Sequence, residues 1–176
     1  MALTMRKPRL VLALVGTATI VSSGLPMAHA DQGPPSSTAT RTVTRTSQPT
    51  PQLTGIRTGQ HASFDRVVFD LAGAAPGYRV GYVRQVKADG SGKVVETRGR
   101  ANLLLRLIPT DAHDAEGHAT YTGSKRFVVN YPALREVAFA GDFEATVSIA
   151  LGISHKSGFR VLTLHQPTRI VVDIAH

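Results

Sequence analysis

Cysteine and tryptophan are absent from the 176 residues, and aromatic residues make up only 6%. Without cysteine there is no disulfide framework, the usual support of small secreted domains. Lipid attachment at a cysteine is excluded with it. A stable fold must therefore rest on its own core. Acids are missing from the first thirty residues. No apolar run reaches the roughly 20 residues needed to cross a bilayer as a helix. No window of helical length places apolar residues at i, i+3, i+4 and i+7 between good start and stop signals.

What is present begins with Arg6, Lys7 and Arg9, followed by an apolar run from Leu10 to about Val21 and then Ala28-His29-Ala30. A basic start, a short apolar stretch and small residues before the cut describe a secretory signal peptide over 1–30, cleaved after Ala30. Residues 31–52 are rich in Ser, Thr, Pro and Gln, with no periodic apolar positions. That composition reads as a disordered tether. Residues 53–176 remain as one domain of ordinary size. The whole chain carries a net charge of +8, and a positive excess survives loss of the three leading cations. In a secreted protein this favours an anionic component of the cell envelope as partner. Basic residues are scattered singly and no nucleic-acid module motif occurs, so nucleic acid is not expected.

Alternation dominates the domain. Val67, Phe69 and Leu71 fall on one side of a strand, with Arg66, Val68 and Asp70 on the other. Near the end, Ile170, Val172 and Ile174 oppose Arg169, Val171 and Asp173 in the same way. Antiparallel pairing of these twin phrases would set Arg66 beside Asp173 and Asp70 beside Arg169, each pair worth about 0.2–1 kcal/mol. The run from Tyr78 to Val86 alternates with a slip near Gly81, as a bulge would produce. Asn102 to Ile108 is apolar apart from Asn102 and Arg106, as in a strand buried on both faces. Val147, Ile149 and Leu151 alternate strictly. Pro132 to Phe139 is the best helical candidate, although Val137 and Phe139 alternate. About eight to ten short strands with turns between them give an all-β sandwich of two antiparallel sheets with pseudo-symmetric halves.

Catalytic signals are weak. Gly90-Ser91-Gly92-Lys93 lacks both the first glycine and the Ser/Thr of a phosphate loop, and reads as a turn. Asp111, His113, Asp114, Glu116 and His118 form a polar loop that does not match a calcium loop and is at best a weak zinc site. Ser157 near His155 lacks a nucleophile elbow. Asp142 and Glu144 are the best carboxylate pair for a hydrolase. No cofactor is expected.

"FDRVVFDLAG" (64–73), "PGYRVGYV" (76–83), "GDFEATVSIALGI" (141–153) and "FRVLTLHQPTRIVVDIAH" (159–176) together resemble the AMIN-like domain of secreted actinobacterial proteins, distant relatives of the AMIN envelope-targeting domain. The resemblance covers nearly all of 53–176. It implies two similar sheets and a non-catalytic attachment to the cell envelope, with peptidoglycan the usual ligand. Candidate ligand contacts are Arg66, Asp70, Arg84, Arg160, Arg169 and Asp173, with Arg98 and Arg100 as further forked donors to carboxylate or phosphate. Tyr78 and Tyr82 are candidates for stacking on sugar rings. The expectation is thus a non-enzymatic module binding peptidoglycan or another anionic wall polymer. The alternatives are a carrier with an apolar ligand between its sheets and a small hydrolase.

Overall fold

The computed structural model describes residues 33–176; the expected signal peptide lies outside them. Ten strands form: β1 (Arg41–Val43), β2 (Gln52–Gln60), β3 (Phe64–Ala72), β4 (Gly77–Val83), β5 (Ala101–Ile108), β6 (Arg126–Val128), β7 (Leu134–Phe143), β8 (Thr146–Ile153), β9 (Phe159–Leu164) and β10 (Arg169–Ala175). They build two antiparallel sheets, β1-β4-β5-β8-β7-β6 and β2-β3-β10-β9. The described residues contain no helix, and Pro132 to Phe139 mostly enters β7. No helix among them is long and apolar enough to cross a membrane.

The twin phrases are adjacent central strands of the four-stranded sheet. β3 pairs with β10, setting Arg66 opposite Asp173 and Asp70 opposite Arg169. Val67, Phe69, Ile170, Val172 and Ile174 are wholly buried, and Leu71 nearly so. They meet Leu103, Leu105 and Leu107 of β5 and Val147, Ile149 and Leu151 of β8 in one core. Each such side chain contributes about 1.5–3 kcal/mol when fully buried. The space between the sheets is filled by these groups. Asp65 joins the sheets at one end, since its buried carboxylate accepts from the backbone N–H groups of Ala133 (2.7 Å) and Leu134 (2.8 Å). His176 Nε2 lies 3.0 Å from its other oxygen.

The slip near Gly81 is not a bulge. β4 keeps unbroken register with β5 and ends at Val83. The chain then folds back over the outer face of the six-stranded sheet as a hairpin tied by the Lys87–Val94 bridge. Val86 there packs on Leu104, Ala138, Ala140 and Ala150, a second small core. That cover accounts for Leu104, the apolar residue on the outer face of β5 that it buries.

Residues 33–52, expected as a disordered tether, are instead laid along the sandwich. Ser37 O accepts from Phe159 N (2.8 Å), β1 pairs with β4, and Ser47 Oγ donates to Ala75 O (3.1 Å). Open sheet edges carry unpaired N–H and C=O groups. A polar segment can satisfy them through its backbone, a gain that side-chain composition does not register.

Candidate functional site

At the β5 start, glycines allow two backbones to approach. Gly99 has φ +117°, and a Cβ there would run into the Ile153 carbonyl; a Cβ on Gly152 would run into the Arg98 carbonyl. Only glycine permits this packing. Arg100 N donates to Ile153 O (2.8 Å), which pins the 98–100 segment to the end of β8. Beneath it, Glu136 is 2% exposed and accepts from Arg98 N (2.7 Å) and Arg126 Nη1 (2.9 Å). Arg126 thereby neutralises a buried carboxylate that would otherwise be costly.

Arg98, Arg100, Arg135, Asn130 and His155 line a cleft of about 630 Å³ at this end. Ser154 N donates to Ala133 O (2.8 Å) and fixes the His155 side of the cleft. None of the three arginines has a carboxylate partner among the described residues. Arg135 makes only a 3.3 Å bond to the Pro132 carbonyl. Planar guanidinium forks of this kind suit carboxylate or phosphate oxygens, often two at a time.

The opposite end of β5 is acidic. Asp142 Oδ2 accepts from Ala112 N (3.1 Å) and lies 2.7 Å from His113 Nδ1. This latch holds the 109–119 loop to β7. The hydrogen bond to Asp142 and its charge, then the charges of Asp111 and Asp114, raise the His113 pKa above its ordinary 6.5, against the opposing effect of burial. Ligand atoms of Asp111, His113 and Asp142 lie within 4.8 Å of one another, as do those of Asp114, Glu116 and His118. Those residues could hold a metal ion, but Asp142 Oδ2 is already engaged by the latch. Glu144 sits at the β7–β8 turn with φ 49°, outside the cleft that Asp142 lines. The two acids therefore do not converge on one cleft.

The ligand candidates are dispersed. On the outer face of the four-stranded sheet Asp173, wholly buried, binds Arg66 (2.6 Å) and Arg160 (2.7 Å). The hydrogen bond to Asp173 raises the Arg66 pKa above its ordinary value. Both guanidinium groups also lie over the Phe64 ring, at 5.3 and 4.9 Å. Asp70 binds Arg57 at 2.6 Å rather than its cross-strand neighbour Arg169. Gly55, opposite Asp70, leaves space for that carboxylate to lean toward β2. Tyr78 lies in the core, and Tyr82 donates its hydroxyl to Ser157 O (2.8 Å) with its ring edge against Phe159. Arg84 is exposed beside the β5 start. Arg98 and Arg100 come together with Arg135, whose place inside β7 gave no sign that it would join them.

No curated protein and no solved structure is significantly similar to this chain. The profile of the AMIN-like domain matches residues 51–176, well over half the chain. That family points to an envelope-associated, non-catalytic module. With two antiparallel sheets and the matched span in agreement, the chain belongs to the AMIN-like domain family.

Proposed function

We propose that this protein is a secreted, non-enzymatic module that binds an anionic polymer of the cell envelope, peptidoglycan or a polymer associated with it, in the Arg98–Arg100–Arg135 cleft. The observation that carries this reading is that three arginines without carboxylate partners among the described residues line one cleft of about 630 Å³. Cations placed together repel one another, and an anion relieves that repulsion while accepting forked hydrogen bonds. Asn130 and the His155 ring offer further polar contacts along the same wall. The reading includes removal of residues 1–30 on export, which leaves the chain still positively charged.

The alternatives find less support. An apolar-ligand carrier needs space between its sheets, which Phe69, Leu105, Ile149 and Val172 occupy. A carboxylate-pair hydrolase needs Asp142 and Glu144 across one cleft, and only Asp142 lines it.

The test is cosedimentation of residues 31–176 with purified cell walls over a salt series. Retention that falls as salt rises, and that is lost in the Arg98→Gln/Arg100→Gln/Arg135→Gln variant, is the expected result. Equal retention of the variant and the parent would refute the cleft as the binding site.

A further inference from the structure

A second group of cations without carboxylate partners lies on the outer face of the same sheet. Arg79 of β4 and Arg106 of β5 are direct cross-strand neighbours. With Lys87 and Gln85 of the covering hairpin they line a cleft of about 330 Å³. Like charges directly opposite one another on a sheet are destabilising. Arg106 Nε, moreover, is buried with no hydrogen-bond partner, and a buried donor without a partner is uncommon in folded proteins. No carboxylate pairs with Arg79, Lys87 or Arg106 among the described residues. The sheet thus tolerates a repulsive pair and an orphaned donor at one place, and a bound anion answers both.

This second cleft and the first are linked through β5. Arg106 lies six residues beyond Arg100, so along an antiparallel strand their backbones stand roughly 20 Å apart. The base of the hairpin fills the interval. Asn102, opposite Val83, donates to Arg84 O (3.4 Å) and accepts from Thr97 Oγ1 (2.6 Å). Those bonds hold exposed Arg84 beside the β5 start, between the two clefts.

We infer that Arg79, Lys87 and Arg106 form a second anion subsite, joined past Arg84 to the Arg98–Arg100–Arg135 cleft, so that the sheet grips a linear polyanion at two points. This rests on the binding reading above and adds to it a minimum length of ligand. A chain carrying repeated phosphate or carboxylate groups occupies both clefts, and the second contact forms at the high effective concentration set by the first. A short anion occupies one cleft alone and lacks that gain.

The experiment measures the affinity of residues 31–176 for triphosphate and for long-chain inorganic polyphosphate. A parallel arm compares triglutamate with poly-glutamate, which separates phosphate from carboxylate preference. The parent is expected to bind the long chain of the preferred chemistry at least tenfold more tightly, per mole of binding-competent segment, than the short one. Arg79→Gln/Lys87→Gln, both at exposed positions, should remove most of that advantage while short-chain binding at the Arg98–Arg100–Arg135 cleft persists. Arg57→Gln/Lys125→Gln removes the same charge elsewhere and should leave the advantage intact. Thermal melts confirm that each variant is folded. Equal binding of long and short chains, or equal losses in the two double variants, overturns the two-point grip while the first cleft stands. Binding of none of the four probes overturns both readings.

Discussion

The outer face of the four-stranded sheet and the outer face and rim of the six-stranded sheet are both rich in arginine, but the arginines are in different electrostatic states. On the first, Arg66 and Arg160 close on buried Asp173 and Arg57 closes on Asp70, which leaves Arg169 with only the Pro167 carbonyl. On the second, Arg126 closes on Glu136, but Arg79, Arg84, Arg98, Arg100, Arg106 and Arg135 have no carboxylate among the described residues. Paired cations help to hold strands in register, whereas unpaired cations keep their donors for a ligand. An arginine therefore indicates binding only when its neighbours leave it without a counter-charge. The contrast also separates two kinds of experiment, one reading stability and the other binding.

The largest effect belongs to the paired face. Asp173→Ala removes the acceptor of two guanidinium groups from a fully buried position, and breaking such a buried pair costs about 3–5 kcal/mol. Chemical denaturation should show that loss in midpoint; a loss below about 1 kcal/mol would mean that the Arg66–Asp173–Arg160 row does not hold β3, β10 and β9 together. Next come the unpaired arginines. Each Arg→Gln at position 98, 100 or 135 should weaken polymer binding by about tenfold, equivalent to about 1.4 kcal/mol, and leave the melting temperature nearly unchanged. If the melting temperature falls with the affinity, the division between the two faces fails. Asp70→Ala gives a smaller effect, because Arg57 is largely exposed and surface pairs contribute about 0–1 kcal/mol. It should shift the unfolding midpoint only slightly, far less than Asp173→Ala.

The smallest effect lies at the acidic end. Because Asp142 raises the His113 pKa, the charged latch is fully formed below pH 6.5 and is lost as pH rises through the raised value. With His113 about half exposed, the associated change should stay under about 1 kcal/mol. Melting temperature measured across that pH range should show a shallow fall in the parent that flattens in His113→Gln. An unchanged slope in the variant would assign the fall to other groups.

Much of the sandwich was legible because alternation reports burial directly. Val67, Phe69 and Leu71 and their counterparts Ile170, Val172 and Ile174 carried the pattern of a shared core, and the charged positions between them were compatible with the register that β3 and β10 adopt, although of the two expected pairs only Arg66–Asp173 closes. The chemistry of that face was less legible. Arg57 reaches Asp70 because Gly55, on the same strand β2 and directly opposite Asp70, leaves space for the carboxylate, a consequence of pairing between positions fifteen residues apart. Arg98 and Arg100 were recognisable as forked donors, but Arg135 read as one polar position of an alternating strand. Arg79 and Arg106 gave no signal, because their adjacency exists only once β4 lies beside β5. The 33–52 segment read as unstructured because its stabilisation comes from main-chain groups at sheet edges, which composition does not describe.

By itself the sequence determined the class of fold, the absence of covalent staples and the faces that must be dry, since each follows from side-chain periodicity and residue content along one strand. Tertiary structure alone decided which cations were neutralised and which were left to converge. Charge pairing depends on distance across strands, and the chain order that sets periodicity does not set that distance.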